Sequence, residues 1–173
     1  STTLYSILNQ LNSPEKNIVT IEDPIEYQIK GITQIQTRSE IGFDFASGLR
    51  AILRQSPDIV MVGEIRDGET ADIAIKASLT GQLVLSTLHT NDAAGAVSRL
   101  VDMKIEPFLI ASSVLIVAAQ RLCRKICTHC KEKVVIPEEV FKRLEIDPDT
   151  FFQGQKEKSF YKGKGCVYCN KTG

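Results

Sequence analysis

Residues 58–72, DIVMVGEIRDGETAD, carry an apolar run through Gly63 straight into Glu64, Arg66 and Asp67. The same pattern occurs twice more. NIVTIE (17–22) leads into Glu22, Asp23 and Glu26, and LVLSTL (83–88) delivers Thr87, His89, Thr90 and Asn91. Carboxylates, an arginine, a histidine and hydroxyls gathered at one edge can hold a metal, orient a water and stabilise developing charge. One apolar strand ending on charges is commonplace, whereas three ending on the same edge make an active site. For Glu64 alone, the alternative is a surface carboxylate capping the next helix. A second constellation pairs Cys127-x-x-Cys130 with Cys166-x-x-Cys169, four thiols that suit tetrahedral Zn²⁺. Two disulfides are the competing reading. His129, inside the first knuckle, reads as exposed rather than as a ligand, and Cys123 as a buried helix residue.

The elements that must position these groups alternate along the chain. Residues 17–22, 59–63 and 83–88 read as short buried strands, and TQIQT (33–37) as a half-exposed one. Helices are predicted over 44–55, with Asp44 as N-cap and Pro57 as terminator, over 67–81, and from about 92 to 103. FLIASSVLIVAAQ (108–120) is too short and too interrupted to cross a bilayer and reads as a buried helix. Apolar strands alternating with helices imply a parallel α/β sheet, whose ligands bind at the carboxyl ends of the strands. The 35 residues between the cysteine pairs exceed a compact ribbon, so a helix beginning near Pro137 is expected to fill the spacer.

At 173 residues and 43% hydrophobic, the chain can bury a core and carry a small appendage. Basic and acidic residues balance at 21 each, so no overall charge draws it to nucleic acid or membrane. The balance conceals an asymmetry. Residues 1–120 hold 9 basic and 14 acidic side chains, and 121–173 hold 12 and 7. The tail is therefore a basic face for a partner or simply a solvated charged segment.

An apolar strand ending in Glu64 resembles the Walker B element of nucleotide hydrolases. Its partner, GxxxxGK followed by Ser or Thr, is not in the chain, although the opening STTLYSILNQL reads as the helix that would follow it. Taken in order, STTLY, VTIEDPIEY, GLRAILRQSPDIVMVGEIRDGETA, GQLVLSTLHTNDA and QRLCRKICTHC resemble the ATPases of type II secretion and type IV pilus assembly. The resemblance implies an α/β, RecA-like P-loop NTPase core, incomplete, its parallel-rich sheet flanked by helices, with a small tetracysteine zinc subdomain. It divides the chain into an ATPase core, 1–122, and a zinc-binding subdomain, 123–173. The chain reads as a fragment of a hexameric, cytoplasmic motor that hydrolyses ATP with Mg²⁺ and acts on an inner-membrane platform protein. By itself it is expected not to hydrolyse ATP at a meaningful rate.

Residue by residue, the resemblance assigns Ser1 and Thr2 to the end of Walker A, with the Ser1 hydroxyl on Mg²⁺. Glu22, Asp23 and Glu26 fall in the acidic "Asp box", Gly63 and Glu64 in Walker B, and Thr87 and His89 in the "His box". Glu64 would then coordinate Mg²⁺ through water, and Glu26, beyond the rigid Asp23–Pro24 step, would orient or activate the attacking water. Arg50 and Arg54, four apart on one helical face, would reach across a subunit interface to phosphate, unless they are merely solvated. Arg66 would do the same or pair with an Asp-box carboxylate, and His89 would sense the γ-phosphate. Gln82 stands where the family usually has His; it hydrogen-bonds but cannot titrate. A reducing compartment favours zinc over disulfides, and the tetracysteine module points to an exporting rather than a retracting motor. The alternative from another class is a zinc module that binds nucleic acid through SFYKGKG (159–165) and Tyr168, beside a non-hydrolysing core.

Overall fold

Short β-branched runs bounded by turns make the central sheet. The computed structural model describes residues 2–147, 150 and 159–173, and its contacts divide the chain into two units, Ser1–Gln120 and Arg121–Gly173. Ser1 lies outside the described residues. In the first unit, strands β1 (Ile18–Glu22), β2 (Thr33–Gln36), β3 (Ile59–Val62) and β4 (Leu83–Ser86) form a parallel sheet in the order β2-β1-β3-β4. Every residue of β1 and β3 is buried, which explains their unbroken apolar pattern.

Alternation of side chains across the strands builds two apolar clusters. Val19, Ile21, Val60 and Val62 pack with residues of α2 (Phe45–Leu53), α3 (Gly68–Leu79), α4 (Ala93–Asp102) and α5 (Pro107–Ser113). On the alternate positions, Ile18, Ile59 and Met61 pack with Leu8 of α1 (Thr2–Leu11). Each large side chain so buried contributes about 1.5–3 kcal/mol. α2 lies directly on β1: a Cβ on Gly48 would fall 2.0 Å from Ile21 Cδ1. Asp44, Asp67 and Asp92 cap the N-termini of α2, α3 and α4, accepting from the backbone N–H of Ser47, Thr70 and Gly95.

Two expectations are corrected here. The third strand is not buried. β4 is a half-exposed edge with Leu83 37% accessible, because only β3 pairs with it. Nor does a buried helix run from 108 to 120. α5 stops at Ser113, where Ser112 and Ser113 turn their hydroxyls back onto carbonyls of Phe108, Leu109 and Ile110, and Val114 is extended. The β-branched residues beyond favour extended backbone, and Leu115 and Ile116 stand 83% and 85% exposed. Among the described residues, no helix is long and apolar enough to cross a membrane.

The second unit holds an antiparallel pair, β5 (Lys131–Val134) with β6 (Phe160–Gly163), and the spacer helix α6 (Glu138–Arg143). The aromatic rings of Phe141 and Phe160 meet at 5.6 Å, and the Lys131 ammonium sits 3.9 Å from the centre of the Tyr161 ring. Cys123 is exposed, not a buried helix residue, because no helix or strand forms over it.

Candidate functional site

Strand register decides what meets at the sheet edge. Ile21 pairs with Val62 and Val62 with Ser86, so Glu22, Gly63 and Thr87 come next along adjacent strands. Gly63 adopts no left-handed turn. Its role is close approach: a Cβ there would lie 3.3 Å from the Ile21 carbonyl oxygen and 3.4 Å from Glu22 Cα, while its N–H donates to that carbonyl at 2.8 Å. The Thr87 hydroxyl donates to the Gly63 carbonyl (2.8 Å) and the Ile65 N–H to the Thr87 carbonyl (3.0 Å), locking the two strand ends together.

These ends open a cleft of about 220 Å³. It is lined by Glu64, Arg66, Thr87 and His89 on one side and by Glu22, Asp23 and Glu26 on the other. Glu64 is 12% exposed, and its two oxygens are separately engaged: Arg66 Nη2 reaches Oε1 at 2.5 Å and His89 Nε2 reaches Oε2 at 2.8 Å. An ionised carboxylate only accepts, so Nε2 carries the proton. Burial pushes the Glu64 carboxyl up, but the hydrogen bonds and charge of Arg66 and His89 outweigh it and leave the pKa lowered. Hydrogen bonding to Glu64, and then its charge, raise Arg66 in turn. The helix that follows takes its cap from Asp67, so Glu64 is free of that task. Arg66 pairs with Glu64 rather than with a carboxylate of the 22–26 stretch.

Other predicted residues are engaged differently. Glu22 is 3% exposed and accepts hydrogen bonds from Tyr5, Thr20 and Gln34. Arg50 on α2 and Arg54 at its C-cap are exposed and do not line the cleft, and Arg50 forms an ion pair with Glu69. Thr2 is exposed at the start of α1, one turn before Tyr5, which does line the cleft. Gln82 accepts a hydrogen bond from the Thr80 hydroxyl at 2.7 Å. Tyr5 and Gln34 were not predicted from the sequence; a tyrosine on an amphipathic helix and a glutamine on an edge strand carry no chemical signature of their own.

In the second unit, the sulfurs of Cys127, Cys130, Cys166 and Cys169 all lie within 4.8 Å of one another. Cys127 to Cys166 and Cys130 to Cys169 are each 3.9 Å, and Cys166 to Cys169 is 3.7 Å. A tetrahedral metal with sulfur at 2.3 Å has edges of about 3.8 Å, whereas disulfide sulfurs stand about 2.0 Å apart. Backbone N–H groups of Gly165 and of Cys166 and Gly173 donate to Cys130 and Cys169 Sγ respectively. The Cys166 amide leads in lowering Cys169 to about 6, while burial pushes Cys130 to about 11. The donor set fits a thiophilic cation that holds all four as thiolates. His129 is exposed, stacked 4.2 Å from the ring of Tyr168, and is not among the ligand atoms.

Comparison with known proteins places the chain in a family. Type II secretion system ATPase E of Vibrio cholerae is 56% identical over 175 residues, covering all of this chain. Type II secretion system protein E of Klebsiella pneumoniae is 53% identical, and the type IV pilus assembly ATPase PilB of Thermus thermophilus 51%, again over the whole chain. The chain spans 33% of the length of the first two and 19% of the third. The crystal structure of the pilus retraction motor PilT with bound ADP superposes with a TM-score of 0.53 and 43% identity, over 59% of this chain and 31% of that one. The Legionella pneumophila ATPase DotB gives 0.53 at 33% identity, over 64% of this chain and 32% of its own. The family described as Type II/IV secretion system protein matches residues 1–173. A parallel sheet with its polar residues gathered at one edge, four converging cysteines and this continuous match make the chain a member of the type II/IV secretion system protein family.

Proposed function

We propose that this chain is the catalytic part of a motor that hydrolyses ATP to drive type II protein secretion or type IV pilus assembly. The observation that carries the reading is the convergence of Glu64, Arg66, His89 and the Asp23–Glu26 loop on one cleft at the carboxyl edge of a parallel sheet. Hard carboxylate oxygens there suit Mg²⁺, which when bound supplies neutralising charge for the phosphates. Glu64 would hold that ion through water. Until then Arg66 and His89 balance its charge, and both are exposed enough to turn towards phosphate. Glu26 would orient the attacking water and accept its proton at a carboxylate oxygen. Ser1 and Thr2 would stand at the phosphates, with Ser1 on the metal.

Arg50 and Arg54 lie outside their own cleft and face solvent, which suits contribution to the cleft of a neighbouring copy in a hexameric ring. Arg50 would exchange an exposed pair with Glu69, worth little, for a phosphate contact. The four cysteines would hold Zn²⁺ as a structural staple. A cytoplasmic motor of this kind would push on an inner-membrane platform protein, and the zinc module favours export over retraction.

The test is phosphate release by the full-length protein. Glu64→Gln is expected to lower turnover by about 100-fold or more while ATP still binds. Unchanged turnover would remove Glu64 from the chemistry and the reading with it.

A further inference from the structure

Glu22 faces α1 at the end of β1, almost wholly removed from water, where a carboxylate survives only if donors replace its solvation. Three donors do so. The Tyr5 hydroxyl binds Oε2, and the Thr20 hydroxyl and Gln34 Nε2 bind Oε1, the last at 3.1 Å. Tyr5 has a second partner, since its oxygen accepts the backbone N–H of Glu26 at 3.2 Å. Gln34 acts in parallel further along the loop. Its amide oxygen accepts the Ile29 N–H at 2.7 Å, and its Nε2 also reaches the Tyr27 carbonyl at 3.2 Å. The ring of Tyr27 closes against that of Tyr5 at 4.6 Å. The exposed segment after Pro24 is thus tied to a buried carboxylate, and at Glu26 the tie is a single hydroxyl.

We propose that Tyr5 is the positioning residue for Glu26: its hydroxyl, held by buried Glu22, fixes the Glu26 backbone so that the carboxylate stands over the cleft. The inference rests on the reading of that cleft as a hydrolytic site. Glu22 then acts from beneath the site, as the anchor of a buried network, not as a ligand of nucleotide. Tyr5 is 4% exposed, so it neither reaches bulk water nor needs to touch substrate. Burial, and then the bond to Glu22, raise its pKa, which keeps the phenol protonated and able to donate. Because Tyr5 rides on α1 one turn from Thr2, a shift of that helix moves the Glu26 backbone directly.

The experiment uses the full-length protein, with Tyr5→Phe compared with Glu26→Gln and with the double variant. Phenylalanine keeps the ring packing and removes only the hydroxyl. The expected result is a fall in kcat of about tenfold with KM for ATP within about twofold, as misplacement of a reacting group produces. Hydrogen exchange at the Glu26 amide should accelerate, while the β3 amides remain protected. The double variant should be no slower than Glu26→Gln alone, since both changes remove one function. If Tyr5→Phe fails to fold because Glu22 is left short of a donor, Tyr5→Phe with Glu22→Gln relieves the buried charge and is read in the same assay. Turnover at the parent rate in Tyr5→Phe, or a further loss in the double variant, overturns the proposal while leaving Glu26 in its role. Parent-rate turnover in Glu26→Gln overturns the hydrolytic reading of this residue and the proposal together.

Discussion

The two units of this protein hold chemical groups in place by opposite means. In residues 1–120 the cleft hangs on a sheet whose strands β1 and β3 are wholly buried, and every buried apolar side chain among the described residues belongs to this unit. In residues 121–173 no described residue is buried, and the elements described there include a four-residue strand pair, a six-residue helix and a single 3-10 turn. A two-stranded ribbon is marginal in water by itself. The first unit therefore positions its polar groups through the hydrophobic effect, with geometry present before any ligand arrives. The second inverts the dependence: its cysteines are brought together by backbone turns with no buried apolar support, which a metal held by the four sulfurs would stabilise.

Metal removal should expose this contrast most strongly. Chelation at neutral pH, or Cys166→Ser, is expected to abolish hydrogen-exchange protection across 131–134 and 160–163 and to leave β1 and β3 protected. Native mass spectrometry should show one zinc per chain before chelation. Protection of β5 and β6 that survives metal loss would erase the distinction between the units.

A cavity in the first unit gives the converse. Leu49 is fully buried in the larger apolar cluster. Leu49→Ala should cost about 2–5 kcal/mol in urea unfolding of this unit. Zinc stoichiometry should not change; a variant that lost its metal as well would mean that the two units fold as one.

The smallest effect on stability is expected from Glu64, and it sharpens the comparison through pH. Its folded pKa lies below the ordinary 4.5, so its pairing with Arg66 and His89 stabilises the fold above that value and is lost as pH falls through the folded pKa. Glu64→Gln should therefore lower the thermal midpoint of the first unit at neutral pH, with the difference closing below about 4.5. A gap that persists in acid would assign the loss to packing instead. With zinc bound as proposed, the cysteine unit would lose stability in acid by another route, protonation of the thiolates and release of the metal.

Much of the site was legible because it depends on local order. Apolar runs of strand length, each followed at once by polar residues, announce a parallel sheet and an edge where ligands gather, and the Asp caps at 44, 67 and 92 mark helix starts. Tandem C-x-x-C pairs announce a metal because two ligands three apart on a turn can share one ion. Burial was harder to read. LVLS looks like β1 and β3 in sequence, but strand order puts it at an edge, and apolarity does not encode the number of neighbours. The same limit explains residues 115–120 and Cys123, whose composition suggests burial although they stand exposed.

What the sequence alone determined is which groups reach the carboxyl edge of the sheet and which four sulfurs converge, since both follow from spacing along the chain. Tertiary structure decided what those groups do to one another. It assigned Arg66 and His89 to separate oxygens of Glu64, sent Arg50 and Arg54 away from their own cleft, and turned Glu22 inward to Tyr5. The physical reason is that hydrogen bonds act over about 3 Å. Glu64 and His89 are 25 residues apart, Tyr5 and Glu22 are 17, and only strand register and helix packing bring either pair within that reach.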